Sequence, residues 1–119
     1  MPYSPKDFYK KLLGKTGEKL VERYLKEKGY KIVATNYRTP FGEADLVALD
    51  GEETVFIEVK TRSGEAYGTP AEAVTAEKRK RYYKIAQYYG LKTREEPNAR
   101  FDVAEVYADE YIEYIKNAF

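Results

Sequence analysis

The sequence predicts a single α/β domain over residues 1–119, with a mixed β-sheet and helices packed against it. Three observations lead there. Apolar spacing switches between helical and strand periods in the order helix, three strands, helix, strand, helix. The stretch VFIEVKTR, residues 55–62, is apolar on both faces of a strand, with Val55, Ile57 and Val59 on one side and Phe56 on the other. Glycine and proline are scattered at element boundaries, so neither a linker nor a repeat divides the chain. A chain of 119 residues buries roughly two thirds of the surface its unfolded form exposes, enough for one core without staples.

The first helix is expected from about Lys6 to Lys28. Leu20, Val21, Tyr24 and Leu25 recur at helical spacing, and Gly29 stands where a C-cap belongs. Gly14 and Gly17 weaken its middle and allow a kink or break. YKIVATNYR follows as the first strand, closed by the turn TPFG at 39–42. EADLVAL and TVFIEVKTR are the next two strands, joined through Asp50-Gly51-Glu52-Glu53, and Asp-Gly between apolar runs is a hairpin signal. SGEAYGTP, 63–70, reads as a glycine-containing loop, in which Gly64 and Gly68 give either mobility or only the turn that Pro70 ends. A helix from Thr75, its N-cap, to Tyr89 buries Tyr82, Ile85, Ala86 and Tyr89. RFDVAEVY is the fourth strand, and EYIEYIKNAF a short closing helix.

Composition narrows the chemistry. With no cysteine and no histidine, disulfides, thiolate sites and imidazole ligands are excluded, so a bound metal must be held by oxygen, which favours magnesium, manganese or calcium. No apolar run approaches the length of a membrane span and the N-terminus has no signal core, so a cytoplasmic protein is expected. The net charge of +1, from 21 basic and 20 acidic residues, does not announce a nucleic-acid binder. Local clustering has to carry that case.

The charges in VFIEVKTR are the anomaly. Burying Glu58 or Lys60 unpaired costs several kcal/mol, and the strand gains nothing structural from either. Hairpin register brings Asp45 into the same region. With a four-residue loop Leu49 pairs with Thr54 and Asp45 falls opposite Glu58; with a two-residue loop its partner is Phe56, and any even loop leaves Asp45 on the face of Glu58 and Lys60. Opposed positions have Cβ atoms about 5 Å apart, so two carboxylates there repel unless a divalent cation lies between them. Asp45 and Glu58 are then metal ligands, and Lys60 reaches the attacking water or the phosphate. Magnesium, held by one or two carboxylates, suits this sparse set, and phosphodiester hydrolysis suits the metal. Glu18, at the border of the first helix's apolar face, either leans over this site or is a rim glutamate; Glu43 is either a further acid or solvated. A structural salt bridge at a sheet margin competes for the whole set.

EKRKRYYK, 77–84, puts Lys78, Arg79, Lys80, Arg81 and Lys84 in about two turns of helix, either tracking a phosphate backbone or forming a solvated face. Arg38, Arg62 and Lys31 add cations near strand ends. Tyr82 and Tyr89, among the 13 tyrosines, are expected in the core, and Asp102 pairs with Arg100 or supports the site.

GEADLVALD followed by VFIEVKTR resembles the catalytic hairpin of the PD-(D/E)XK nuclease superfamily, the restriction-endonuclease-like fold that includes archaeal Holliday junction resolvases. A closer similarity is to the YraN-like family of small bacterial proteins. It covers nearly the whole chain, through GKTGEKLVERYL, NYR, GEADL, FIEVKTR, YGTPAEAV, RFDV and IKNAF. The resemblance implies a three-layer fold with helices on both sides of a mixed sheet. It matches Asp45 and Glu58 to the metal-binding acids, Lys60 to the motif lysine and Glu18 to a helix glutamate near the site, and has Val59 lend its carbonyl to the metal. Ala44 stands where the literal motif has proline. The function expected is Mg²⁺- or Mn²⁺-dependent cleavage of branched or structured DNA, with Arg38, Arg62, Lys78, Arg79 and Arg81 on the nucleic acid and a homodimer as the form that would cut two strands symmetrically. The alternative is a binding module that keeps the fold without turnover.

Overall fold

The computed structural model describes residues 5–62, 75–96 and 98–119, with 5–15 as backbone. The expected loop at 63–70 and the YGTPAEAV stretch lie outside the described residues. Helix α1 spans Pro5–Glu27 and buries Val21 and Leu25, one turn apart. Its end closes as anticipated: Gly29 takes φ +90°, and the N–H groups of Gly29 and Tyr30 donate to the Lys26 and Leu25 carbonyls at 3.0 and 2.9 Å. The glycines do not break the helix. Gly17 serves close approach, because a Cβ there would stand 2.5 Å from the Thr61 hydroxyl.

Strands β1 (Lys31–Thr39), β2 (Gly42–Asp50), β3 (Glu53–Arg62), β4 (Asn98–Tyr107) and β5 (Ile112–Ile115) form one sheet in that spatial order. All neighbours are antiparallel except β3 and β4, which run parallel and are joined through helix α2, Ala76–Thr93. The Thr75 hydroxyl caps α2 by accepting the Lys78 N–H at 3.1 Å, and Arg94 ends it in the left-handed conformation. At the other hairpin Asp50 pairs with Glu53, leaving Gly51, at φ +60°, and Glu52 as the turn.

The two faces carry separate cores. Val21 and Leu25 of α1 pack on Leu46, Ala48, Val55, Ile57, Ala104 and Val106. Tyr82, Ile85 and Ala86 of α2 pack on Ala44, Val47 and Phe56 across the sheet. Helix, sheet and helix are therefore the three layers expected of a restriction-endonuclease-like fold. No helix among the described residues is long and apolar enough to cross a membrane.

One element differs from expectation. EYIEYIKNAF holds strand β5, not a helix, with Ile115 opposite Val103 and Tyr114 opposite Ala104. Its apolar residues fit both periods, and tertiary partners decide between them. The strand satisfies the edge of β4, and Tyr114 packs against Tyr24 at 5.7 Å while its hydroxyl donates to Asp102 at 2.6 Å. Asp102 is wholly buried and belongs to a structural network. Arg100 donates to it, and also to Asp50 at 2.8 Å, Glu53 at 2.9 Å and the Tyr30 hydroxyl at 2.6 Å. The network ties the β2–β3 turn and the end of α1 to β4 and β5.

Candidate metal centre at a fork in the sheet

The β2–β3 ladder runs from Asp50 opposite Glu53 to Leu46 opposite Ile57, including the anticipated Leu49–Thr54 pair. The next step would oppose Asp45 and Glu58. There the strands part, and Asp45 Oδ2 accepts the Val59 N–H at 2.8 Å, a side chain doing the work of a backbone carbonyl. Beyond this point Ala44, Glu43 and Gly42 continue to pair with β1, and Glu58 to Arg62 with β4. Asp45 thus sits at the crotch of a fork. Strict alternation fails at the same place: Ala44 is buried on the α2 side and Leu46 on the α1 side, two residues apart. On β1, at the same level, Asn36 turns to φ +50°. The fork brings Asp45 near enough to Glu58 for each to feel the other's charge.

Burial pushes the Asp45 carboxyl up to about 6 from its ordinary 3.8, helped by the charges of Glu18, Glu58 and Glu43, while the Val59 N–H works in the opposite direction. Glu58 sits on the α2 face. Its Oε1 receives the Lys78 ammonium at 2.7 Å, and its Oε2 is buried with no hydrogen-bond partner among the described residues. Tyr82, also buried, has its phenol raised well above its usual value by burial and then by Glu58 and Asp45, so it stays protonated beside them. Lys60 is exposed, two residues beyond Glu58 and on the same face of β3 by alternation. Glu18 is half-buried on α1, close enough for its charge to be felt at Asp45.

Among the described residues no group of three acids is arranged to hold a metal by itself. The donors present still fit a hard divalent ion. They are Asp45, Glu58 with its orphaned oxygen, and the Val59 carbonyl, which points to the same edge as the Val59 N–H and so faces the fork. An unpartnered buried carboxylate oxygen costs on the order of 1–3 kcal/mol, and a cation is the ligand class that would satisfy it.

The expected phosphate-binding cations fall into different situations. Arg38 is 83% exposed and 3.5 Å from Glu43. Arg62 forms a two-pronged pair with fully buried Glu105, at 2.6 and 3.1 Å, and so neutralises a charge inside the sheet. Lys78 faces Glu58. Arg79 is exposed, and Arg81 lays its stem over Gly42 with its head in solvent. Sequence reasoning put Lys78 on a phosphate and Tyr82 in the core; both also border the site. A signal was present, because Lys78 lies one turn before Tyr82 and heads the stripe Tyr82, Ile85, Ala86 and Tyr89 that faces the sheet.

A family model described as Uncharacterised protein family UPF0102 matches residues 17–106, the span from α1's contact with β3 to the end of β4. Among curated proteins, a UPF0102 protein of Alkaliphilus metalliredigens is 45% identical over 112 residues, covering 92% of this chain and 98% of the relative. A UPF0102 protein of Thermodesulfovibrio yellowstonii is 48% identical over 107 residues, covering 90% and 95%. A third, from Moorella thermoacetica, is 45% identical over 115 residues, covering 89% and 93%.

Proposed function

The chain belongs to the uncharacterised protein family UPF0102, the YraN family, and from that premise we propose that it is a divalent-metal-dependent endonuclease acting on branched or otherwise structured DNA. The observation that carries the proposal is the pair of carboxylates at the fork. The Asp45 carboxyl is pushed up to about 6, and Glu58 keeps one oxygen buried and unmatched among the described residues. Such a site is poised for a cation.

Asp45, Glu58 and the Val59 carbonyl would hold Mg²⁺ or Mn²⁺, with Glu18 adding negative charge from α1. When bound, the ion polarises a phosphoryl oxygen and acidifies a water. The rest of the work falls to this chain's own side chains. Lys60, exposed at the rim, orients the scissile phosphate or the attacking water. Tyr82 retains its proton and remains a hydrogen-bond donor under the carboxylates. Lys78 balances Glu58 from α2. Arg38, Arg79 and Arg81 carry the flanking phosphates, while Arg62 is committed to Glu105. Two copies of the chain would cut two strands symmetrically, and the compartment would be the cytoplasm, where DNA is accessible.

The Lys78–Glu58 ion pair also favours a second reading, a nucleic-acid-binding module without turnover, because a site with no use for metal would neutralise Glu58 in this way. Labelled linear duplex, flap and four-way-junction DNA, incubated with Mg²⁺ or Mn²⁺, separates the two. The nuclease is expected to cut, and Asp45→Asn and Glu58→Gln each to lose activity by at least about a hundredfold. Binding that is indifferent to metal, with no cutting, would replace it by the module.

A further inference from the structure

We propose that Phe41, at the tip of the β1–β2 hairpin, is an aromatic wedge that stacks on an unpaired base where duplex DNA ends or branches. The inference rests on the nucleic-acid part of the reading above and adds what recognises the branch. Phe41 is 47% exposed, although its side chain is large and apolar. Lone exposed apolar residues are ordinary; what sets this one apart is the frame and the charge around it. The Thr39 hydroxyl accepts the Phe41 N–H at 3.1 Å and donates to the Gly42 carbonyl at 2.8 Å, and Pro40 restricts the backbone beside it. The ring is therefore presented on a stiff turn, so little freedom is lost when it stacks.

Two cations of helix α2 and one of the hairpin itself lie around this turn. The Lys84 ammonium lies 5.6 Å from the ring centroid. Arg81 runs its stem across Gly42, so near that a Cβ there would meet Arg81 Cδ at 2.5 Å. Arg38 stands in solvent on β1, with Glu43, across the hairpin, as the acid that partly offsets it. An exposed aromatic face surrounded by solvated positive heads is complementary to a base with phosphates on either side, the combination by which proteins hold single strands. An acidic protein surface would answer the cations but would leave the ring without a flat partner.

The wedge also lies at a useful distance from the site. Asp45 is four residues on from this turn, so at full strand rise no more than roughly 13 Å of chain separates the two. A base stacked on Phe41 would hold the duplex beside it with a phosphate near the fork.

The test uses the full chain with EDTA present, so that binding is read without cutting. The probes are a flap DNA with 2-aminopurine as the unpaired base at the branch and the matching linear duplex. Wild type is expected to change the 2-aminopurine emission at the branch. Phe41→Ala should lose that change and bind the flap roughly five- to a hundredfold more weakly, while duplex affinity stays within about twofold. Phe41→Trp should restore both. An unchanged flap affinity in Phe41→Ala overturns the wedge, and so does a wild type that binds no DNA, an outcome that would leave the exposed ring to a protein partner. The cleavage assay keeps the two proposals apart. Cutting that is lost in Asp45→Asn but indifferent to Phe41 leaves the nuclease and removes the wedge; a Phe41-dependent branch signal without any cutting does the reverse.

Discussion

The Lys78 ammonium lies 2.7 Å from one oxygen of Glu58, while the other oxygen of the same carboxylate is buried without a hydrogen-bond partner among the described residues. The lysine satisfies half of the group from the helix side and leaves the other half unmet. A divalent ion arriving there meets a carboxylate whose charge is already shared and a cation that repels it. Removing the lysine should therefore strengthen metal binding. Lys78→Met is expected to tighten Mn²⁺ binding by about fivefold, roughly 1 kcal/mol for a mostly buried pair, read by titration calorimetry at about pH 8. Weaker binding in the variant would mean that Lys78 organises the site instead of competing for it.

Asp45 gives the metal-free protein a defined pH dependence. Its folded value of about 6 lies above the ordinary 3.8, so between these pH values the folded chain keeps a proton that the unfolded chain releases. Stability from this group is greatest below about pH 4, falls as pH rises through the window, and stays at the lower level above it. The difference is about 2–3 kcal/mol. Asp45→Asn keeps an acceptor for the Val59 N–H and removes the charge. Urea unfolding in EDTA should show the variant more stable than wild type at about pH 8 and nearly equal at about pH 4. Equal stability at both pH values would contradict the shift.

Arg100 is the hub of the buried polar network and Asp102 its fully buried partner. Arg100→Met strands that carboxylate, which costs on the order of 3–5 kcal/mol. Tyr114→Phe takes away one hydrogen bond of 2.6 Å and is expected to cost about 1–2 kcal/mol. Chemical denaturation of both variants checks the ordering, and a reversed order would move the hub from Arg100 to Tyr114.

Gly17→Ala sets two terms against each other. Alanine favours the helix by up to about 1 kcal/mol, but its Cβ would stand 2.5 Å from Thr61 Oγ1, and overpacking of this kind costs about 1–3 kcal/mol. A net loss is expected. Thr61→Ala in the same chain should recover it, giving a coupling of at least about 0.5 kcal/mol in a double-mutant cycle. Additive losses would show that α1 and β3 do not meet at this pair.

What was legible in the sequence follows the range of the forces concerned. Val55, Phe56 and Ile57 announce an interior strand because alternation is local, and the short turn after Asp50 narrows the β2–β3 register to a few pairings, of which the one with Leu49 opposite Thr54 is found. Gly29 and Thr75 mark helix ends for the same reason. The closing segment was misread because Tyr111, Ile112, Tyr114 and Ile115 satisfy a helix as well as a strand, and only Tyr24, Asp102 and the β4 edge decide between them. Lys78 could not be assigned from its basic run, since its direction depends on how α2 is rotated against the sheet. Arg62 looked like a phosphate ligand until Glu105, 43 positions later, appeared beneath it. The acids of the candidate site were visible as anomalies, but the break in alternation at Asp45 was not, because it belongs to two strands at once.

That break has a mechanical side. Past the fork, the first residues of β2 pair in the sheet with β1 and no longer with β3, and the two run out together to the turn at Pro40 and Phe41. They form a cantilever, clamped where the Asp45 carboxylate grips the Val59 N–H. A load on the turn, where Arg81 and Lys84 of α2 rest, is carried along this pair of strands to the root, so whatever deflects the turn also strains the grip of Asp45.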